Sequence, residues 1–429
     1  MTAGTGTIAA LPLSLAAYDV RAVREVRHGE GRVSRTLGDP LLEVDLDAVE
    51  SLIADEPALS SMRAHIARPG DPVRIANVLD AVVPTVKADD PSSTFPGVLG
   101  PDDAECGTGA TARLRGIAVI ATLDMGALID PGDPIPASYV DMDGPAASLT
   151  PWGSTINLVL EMEPSPGASL ADIDLASRRV SLLAARELAA GALDGAAAPD
   201  EERLYEAPVS KRDLPVVVPI LQFTGEGPGL TTYLRGQPVD ELLPCAIDPR
   251  VLLDGGMTCG EYDSPSARNP TALLQTSRLI ERLFTEHGAT LLLPGAVLTL
   301  GYLDDAGEKR RMAEAAADIA VGTLGAEAVI CTTYSLGNSH TDTMLTIAAS
   351  EARGARSVGI VAEEAGLVDH VAEADALIST GNVLQRVDGW TPAVVLGAAE
   401  HESPPQIPVL NYLGATTQIG DLHLRGVSA

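Results

Sequence analysis

The stretch AEAVICTTYSLGNSHTDTMLTIAASEARGARSVGIVA, residues 326–362, contains a complete strand–helix–strand pattern. Residues 326–331 are mostly apolar, residues 341–353 have the length of a helix that ends at Gly354, and residues 357–362 are again mostly apolar. Apolar strands joined by a helix are typical of a parallel sheet that helices cover on both faces. The stretch therefore predicts a doubly wound α/β domain, in which ligands bind beyond the carboxyl ends of the strands.

The same alternation continues on both sides of this stretch and predicts a mostly parallel sheet. The further predicted elements are strands 215–222, 289–300 and 374–379 and helices 271–286 and 304–323. Pro219 predicts an edge or a bulge, because proline lacks the N–H that a central strand donates. Asn269 and Pro270 predict the start of a helix, with asparagine as the N-cap and proline in the first position.

The first part of the chain has a less regular pattern. We predict a short helix over 41–53, strands over 116–123 and 156–162, and a long helix over 170–193. The charged segment 197–213, which contains two prolines, is the best candidate for a linker. These observations predict an irregular α+β domain over residues 1–205 and a Rossmann-like α/β domain over residues 206–429.

The acidic composition limits the partners of the protein. Its 429 residues include 59 Asp and Glu against 29 Lys and Arg, which gives a formal net charge of −30. Such a surface repels phosphate backbones and anionic lipids, so we expect neither nucleic acid nor a membrane as a partner. We find no apolar run of about 18 residues and no basic segment of a secretion signal, so we expect a cytoplasmic protein. Four cysteines without paired spacing predict neither a disulfide scaffold nor a metal site.

A loop of mostly small and polar residues, 254–271, carries Cys259 between glycines. One functional interpretation is a thiol with redox or nucleophilic chemistry. The other is self-processing, in which the thiol attacks the Thr258 carbonyl, forms a thioester and, after elimination and hydrolysis, leaves a pyruvoyl group on a new N-terminus. The neighbouring glycines would give the backbone the freedom that such a reaction needs. The alternative without a function is a buried structural cysteine.

A second loop, 332–342, connects the strand and the helix of the opening stretch. A helix N-terminus favours an anion such as a carboxylate. Asn338 and Thr341 would cap this helix, and His340 and Asp342 would supply acid–base chemistry if they face a pocket. We therefore predict that these four residues bind the substrate. The alternative is an ordinary capped loop between a strand and a helix.

Several short motifs between residue 64 and the C-terminus resemble, in order and spacing, those of one protein family. They are ARPG at 67–70 with VRI at 73–75, FPGV at 95–98, DGP at 143–145 with TP at 150–151, NPT at 269–271, GN at 337–338 with TD at 341–342, and the segment 411–417. The chain resembles the component B proproteins of the glycine, sarcosine and betaine reductases and, more distantly, the D-proline reductase proprotein. Thr258 is similar to the proline-reductase junction, whereas glycine-reductase members have asparagine there, and His340 replaces an acidic residue. The substrate is therefore open.

The resemblance implies a site and a mechanism. Cys259 occupies the position of the cysteine that becomes the pyruvoyl cofactor, so Thr258 and Cys259 are the predicted catalytic residues. The pyruvoyl group would form a Schiff base with a small amine or amino acid, and a thiol or selenol on a partner subunit would cleave the C–N bond reductively. The chain would then be an oxidoreductase subunit in a hetero-oligomer. Arg68 and Arg74 would hold a substrate carboxylate, unless they form salt bridges instead.

Two other functions stay open at the level of the sequence. A pyruvoyl-dependent decarboxylase would need no partner subunit. An unprocessed homologue would bind a small molecule or act as a scaffold. Cleavage between Thr258 and Cys259 would distinguish the enzymes from the unprocessed homologue, and a thiol or selenol partner would distinguish the reductase from the decarboxylase.

Overall fold

A computed structural model of the chain describes residues 11–29, 31–37, 41–90, 99, 106–124, 138–194, 198–206, 213–224, 231–259, 268–334, 336–363, 374–397, 406–417 and 425–427. Its main feature is a seven-stranded sheet, called here the central sheet. In spatial order its strands are Cys245–Ile247, Ala296–Leu300, Val217–Phe223, Ala328–Thr332, Arg356–Glu363, Ala376–Asn382 and Arg425–Val427. The five inner strands run parallel, and each outer strand is antiparallel to its neighbour. The predicted α/β class is confirmed.

Helices Ala306–Ala317 and Asn338–Glu351 pack on each other and cover one face of the central sheet. On this face Ile220 and Cys331 of the strands share an apolar core with Ile347 of the second helix. The other α-helices are Leu46–Glu50, Leu170–Leu193, Arg250–Leu253, Thr271–Gln275 and Arg278–Glu286, and a π-helical segment, Asp318–Thr323, follows the helix that ends at 317.

The opposite face of the central sheet is buried against the region of Cys259. Successive side chains of a strand point to opposite faces, so Leu221 and Leu298 point away from the two covering helices. Both share an apolar cluster with Cys259 and Met257. The central sheet therefore lies between the surroundings of Cys259 and the core of helix Asn338–Glu351.

Two four-stranded sheets dominate the first part of the chain. One consists of Leu59–Ala67, Ile156–Pro164, Ile117–Thr122 and Val78–Val82, and the other of Glu201–Tyr205, Leu13–Asp19, Gly109–Arg115 and Thr85–Lys87. Helix Leu170–Leu193 has the predicted bounds and buries Ile173, Val180 and Leu188 in the core of this part. The smaller sheets contain Val140–Asp141, Val73–Ile75 and Val394–Leu396; Gln237–Pro238, Tyr233–Leu234 and Met257–Thr258; Ala22–Val26, Leu41–Asp45 and Ser34–Thr36; and Arg386–Asp388 with Gln406–Pro408.

Packing crosses the predicted domain boundary at residues 205 and 206. Strand Val394–Leu396 pairs with Val73–Ile75. Leu273 shares an apolar cluster with Val78. The division into two domains stays a prediction, and the contacts described here place residues of both parts around one site.

The segment 41–53 is not the single helix that we predicted. Its first part is strand Leu41–Asp45, and helix Leu46–Glu50 begins where the Asp45 side chain accepts hydrogen bonds from two amides of the first turn. The strand therefore ends at the residue that caps the helix, and Leu42 and Val44 point to one face of the strand as its two-residue repeat requires.

Pro219 lies in an interior strand of the central sheet, so the prediction that it marks an edge strand was wrong. The proline is tolerated because one neighbouring chain leaves the ladder at this level. The Val217 N–H donates to the Leu292 carbonyl, and regular pairing with the same neighbour resumes at Ile220.

The predicted helix 271–286 divides into Thr271–Gln275 and Arg278–Glu286. Ser277 causes the division, because its side chain accepts a hydrogen bond from an amide three residues later and starts a new helix. Asn269 is not the N-cap; Pro270 holds that position without a side-chain bond.

Helix Asn338–Glu351 begins three residues earlier than predicted. Gly337 is its N-cap at a φ of 59°, a conformation that glycine adopts without strain. The described structure shows no side-chain cap for this helix, so capping by Asn338 or Thr341 was wrong. The FPGV motif at residues 95–98 lies outside the described residues. Residues 260–267 of the predicted processing loop lie outside them as well.

Candidate functional site

The bond between Thr258 and Cys259 lies in the interior of the protein. Gly255, at a φ of +77°, turns the chain into strand Met257–Thr258, which pairs with Tyr233–Leu234. Thr258 and Cys259 are 2% and 1% exposed. A reaction at this bond therefore depends on neighbouring protein groups for the protons that move.

Two side chains from distant parts of the sequence hold the backbone of Cys259. Its N–H donates to Thr271 Oγ1 at 3.0 Å. Its carbonyl oxygen accepts a hydrogen bond from Arg178 Nη1 at 2.8 Å. Both backbone polar groups of Cys259 are thus bound by side chains that tertiary folding brings to them.

Asp80, on strand Val78–Val82, orients Thr271. Its carboxylate accepts the Thr271 N–H at 2.9 Å and the Thr271 hydroxyl at 2.5 Å. Burial raises the pKa of Asp80 above its ordinary value, and the neighbouring Arg178, the Thr271 hydrogen bonds and Arg268 offset this in part. Asp80 consequently keeps a proton at higher pH than a carboxyl group in water does.

Arg178 is the charged centre of the site. Its guanidinium lies 3.1 Å from Asp174 Oδ1 and 3.7 Å from Asp80 Oδ2, and its central carbon lies 5.6 Å from the centre of the Tyr233 ring. Burial alone would lower the pKa of Arg178. The two carboxylates and the nearby Cys259 raise this pKa by more than burial lowers it, so the guanidinium stays charged. Burial also raises the pKa of Asp174, and Arg178 opposes that shift.

Some buried polar atoms near this bond have unused hydrogen-bonding capacity. Thr258 Oγ1 and both side-chain polar atoms of Asn269 have no partner among the described residues. A buried polar group without a partner costs roughly 1–3 kcal/mol. Such groups are rare and call for an explanation such as a bound water, a ligand or a chemical role.

The arrangement has the parts needed to break the peptide bond that it holds. Cleavage requires attack on the Thr258 carbonyl carbon and a proton for the nitrogen of Cys259. The Cys259 thiol is a nucleophile adjacent to that carbonyl in the chain, and the Thr271 hydroxyl contacts the nitrogen.

Loop 332–342, the predicted substrate-binding loop, reaches the apolar cluster of Cys259 through the buried Tyr334, but its predicted substrate-binding residues lie elsewhere. Asn338 and Thr341 are exposed, and the helix that carries them packs on the face of the central sheet opposite to the apolar cluster of Cys259. The described contacts do not join this loop to the Cys259 backbone, and its role in substrate binding stays a prediction.

His340 and Asp342 of the same loop are buried. Asp342 forms an ion pair with Lys309 Nζ at 2.8 Å, so its charge is neutralised within the protein. Burial lowers the pKa of His340, and its Nε2 has no partner among the residues that the structure describes. His340 is therefore neutral near pH 7, and its acid–base role stays a prediction.

Arg68 and Arg74 both form ion pairs. Arg74 is 2% exposed and binds the two carboxylate oxygens of Asp141 at 2.6 and 2.8 Å, with its guanidinium over the Tyr139 ring. Arg68 pairs with Glu25 nearer the surface. These contacts are the salt-bridge alternative of the sequence analysis, and binding of a substrate carboxylate by either arginine stays a prediction.

A cavity of about 320 Å³ has Arg113, Trp152 and Tyr205 in its lining, together with Ala272, which follows Thr271 in the chain; Cys259 does not line it. Within the described ranges, no group of three or more His, Cys, Asp or Glu residues is arranged to hold a metal ion. The helices in those ranges are also too short or too polar to cross a bilayer.

The charged residues Asp80, Asp174 and Arg178 were not found from the sequence, although each leaves a trace there. Asp80 is the one charged residue in the apolar run 78–83, and Asp174 and Arg178 lie one turn apart beside the apolar stripe of their helix. Charged residues are rarely buried unless they are paired, so a charge that interrupts an apolar pattern indicates an ion pair or a site. The sequence did not show that these three charged residues lie together in the fold.

Fold and site define an α/β protein in which a buried cysteine junction is bound by a Thr–Asp pair and by an arginine. Residues 17–403 match the family described as glycine/sarcosine/betaine reductase component B subunits, and the chain belongs to this family. The predicted family and the predicted class, an oxidoreductase subunit, are thereby confirmed.

Individual relatives cover nearly the whole chain. The glycine reductase complex component B subunits alpha and beta of Acetoanaerobium sticklandii are 28% identical over 93% of this chain and 96% of that protein. The sarcosine reductase complex component B subunit alpha of Peptoclostridium acidaminophilum is 29% identical, with coverages of 84% and 83%. The betaine reductase complex component B subunit alpha of the same organism is 28% identical, with coverages of 88% and 86%. No solved structure matches the chain.

Proposed function

We propose that this chain is the substrate-activating subunit of a reductase complex that cleaves the C–N bond of a small amine or amino acid, and that Cys259 becomes its pyruvoyl group. The relatives are named for glycine, sarcosine and betaine reductase complexes. These three compounds share a nitrogen on the carbon next to a carboxylate. A substrate of that chemical class is the one we propose for this chain.

The observation that carries the proposal is the binding of the Cys259 backbone by Thr271 and Arg178 in the protein interior. A purely structural cysteine needs no buried cation at its carbonyl, and burying a charge costs several kcal/mol. Two relatives also carry a name that assigns two subunits, alpha and beta, to one sequence. Cleavage of one internal bond would account for two subunits.

The proposed cleavage proceeds through a thioester. The Cys259 sulfur bonds to the Thr258 carbonyl carbon, the C–N bond breaks, and the nitrogen becomes an amine. Loss of the α-proton of residue 259 then breaks the Cβ–S bond, which releases the upstream fragment as a thiocarboxylate and leaves dehydroalanine at the downstream N-terminus. Water hydrolyses the imine tautomer to the pyruvoyl group, and ammonia leaves.

That group would supply a carbonyl able to condense with a primary or secondary substrate amine and so to withdraw electrons from the carbon to be cleaved. The remaining cysteines support a reductant on another protein. Burial raises the pKa of the Cys106, Cys245 and Cys331 thiols, and thiols with raised pKa values are poor nucleophiles. We therefore propose a partner subunit with a reactive thiol or selenol.

Mass spectrometry of the purified protein tests the proposal. We expect two fragments that meet at Thr258 and Cys259, the downstream one without a free amino terminus because a ketone has replaced the amine. Cys259→Ala should stay intact, whereas Cys331→Ala, the matched control at another buried cysteine, should be cleaved. A wild-type chain that stays intact after co-expression with its partner subunits would overturn the proposal. Turnover of the cleaved protein without a partner would favour the decarboxylase.

A further inference from the structure

We infer that Thr271, oriented by Asp80, delivers the proton that the Cys259 nitrogen takes up when the Thr258–Cys259 bond breaks. The inference rests on the proposed conversion of Cys259 and assigns the residues that carry out its first step. Thr271 touches the reacting nitrogen and is a catalytic residue in this scheme. Asp80 acts through Thr271 and is a positioning residue.

The contact between Thr271 and the nitrogen of Cys259 suits this step. Its length of 3.0 Å lies within the range for direct proton transfer. In the resting amide, the nitrogen donates its N–H to the hydroxyl oxygen. After sulfur has added to the carbonyl, the nitrogen becomes pyramidal and gains a lone pair. Inversion at this nitrogen turns the lone pair toward the Thr271 hydroxyl, so the direction of the hydrogen bond reverses. The hydroxyl then donates its proton to the nitrogen.

Asp80 determines whether the Thr271 proton is available. An ionised Asp80 keeps the hydroxyl proton in its own hydrogen bond. A protonated Asp80 donates to the hydroxyl oxygen, so that Thr271 can give one proton and receive another. Burial favours this neutral form by raising the pKa of Asp80. The charged groups that face Asp80 are Arg178, with Asp174 behind it, and Arg268, and both arginines oppose the neutral form.

The step balances without an oxidant or a reductant. One C–S bond forms and one C–N bond breaks. The nitrogen receives a proton from Thr271, Thr271 receives one from Asp80, and the proton that the thiol releases restores Asp80. The net change is the transfer of one proton from sulfur to nitrogen. Arg178 fixes the adjacent carbonyl of Cys259 while this happens.

A pair of substitutions at residue 271 tests the hydroxyl. Thr271→Val keeps the shape and removes the hydroxyl, whereas Thr271→Ser keeps the hydroxyl. The rate is followed by mass spectrometry after cell-free synthesis, and hydroxylamine trapping measures thioester formation separately from elimination. We expect Thr271→Val to be slower by about 100-fold, at the lower end for general acid catalysis, and Thr271→Ser to stay within about tenfold. Thr276→Val is the matched control, because in the described contacts that hydroxyl donates only to the Ala272 carbonyl, one turn earlier in the chain.

The pH dependence of the wild-type rate tests Asp80 without any substitution. A proton donor works only while it is protonated, so the rate should rise as the thiol ionises and fall as Asp80 ionises. Asp80→Asn should lower the rate and remove the fall at high pH. A wild-type rate that rises continuously with pH contradicts the role of Asp80.

The outcomes separate this inference from the proposed function. If the wild-type chain is cleaved and Thr271→Val is cleaved equally fast, the inference is wrong and the proposed function stands. If the wild-type chain is never cleaved, the proposed function itself is wrong. Melting temperatures in a Cys259→Ala background identify variants that do not fold. If Thr271→Val does not fold, the pH profile of the wild-type rate tests whether the Thr271–Asp80 pair supplies the proton.

Discussion

Replacing Arg178 with methionine would leave two buried carboxylates without the cation that lies between them. The guanidinium is 3.1 Å from Asp174 and 3.7 Å from Asp80, and its side chain is 4% exposed. Methionine retains most of the apolar stem, so the change removes mainly the charge and the hydrogen bond to the Cys259 carbonyl. Removing one partner of a buried ion pair costs roughly 3–5 kcal/mol, and we expect the free energy of unfolding to fall by about that amount near pH 7.

The loss should become smaller at acid pH. Burial raises the pKa values of Asp80 and Asp174, and Arg178 lowers both, so its removal lets both folded-state values rise further. The unfolded chain has a carboxyl pKa of about 3.9. A carboxyl whose folded pKa lies above the unfolded value destabilises the fold as the pH rises through that interval, by up to about 1.4 kcal/mol per pH unit and group. The variant should therefore lose stability more steeply than the wild type as the pH rises above the carboxyl pKa of the unfolded chain.

Urea unfolding measured by circular dichroism checks this prediction. The Cys259→Ala background keeps every sample in one polypeptide. Arg179→Met is the matched control, because the neighbouring side chain is 45% exposed and 4.0 Å from Glu56, and it should change the stability by less than about 0.5 kcal/mol. A loss below about 1 kcal/mol for Arg178→Met, which is typical of an exposed pair, would refute the reasoning. An equal loss at acid pH and near pH 7 would refute it as well.

Two further substitutions probe the chain before the cysteine junction. Gly256→Ala would place a Cβ 2.4 Å from Cys106 Sγ and 2.6 Å from Val251 Cγ1, so we expect thermal unfolding to show a loss of about 1–3 kcal/mol. Cys106→Ala in the same chain should restore part of it, and no restoration would mean that the sulfur is not the obstacle. Lys87→Met removes the buried ion pair with Asp254; burial raises the pKa of Asp254 and Lys87 lowers it. The variant should therefore lose stability faster than the wild type as the pH rises above the carboxyl range, and parallel pH profiles would contradict this.

Local patterns predicted the elements whose own residues decide their structure. Helix Leu170–Leu193 was predicted with its observed bounds because its apolar stripe repeats over many turns. The five inner strands of the central sheet were predicted because both of their faces are apolar, although the one predicted over 289–300 begins only at Ala296; the two outer strands were not predicted. The predictions for 41–53 and 271–286 were wrong in part, because single side chains, Asp45 and Ser277, start new helices there. The resemblance to the family also followed from short motifs and was confirmed.

The sequence by itself determined the α/β class, the reductase family and Cys259 as the residue of interest, because periodicity, motif order and a cysteine between glycines are all visible in neighbouring residues. Only the tertiary structure showed what surrounds Cys259. Asp80 and Thr271 are 191 positions apart, and Arg178 is 81 positions from the carbonyl that it binds. Hydrogen bonds and charge pairs depend on distances in space, and the fold sets those distances by packing a strand, a long helix and a short helix around one buried bond. The sequence contains each of these side chains but does not show that they are close to one another in space.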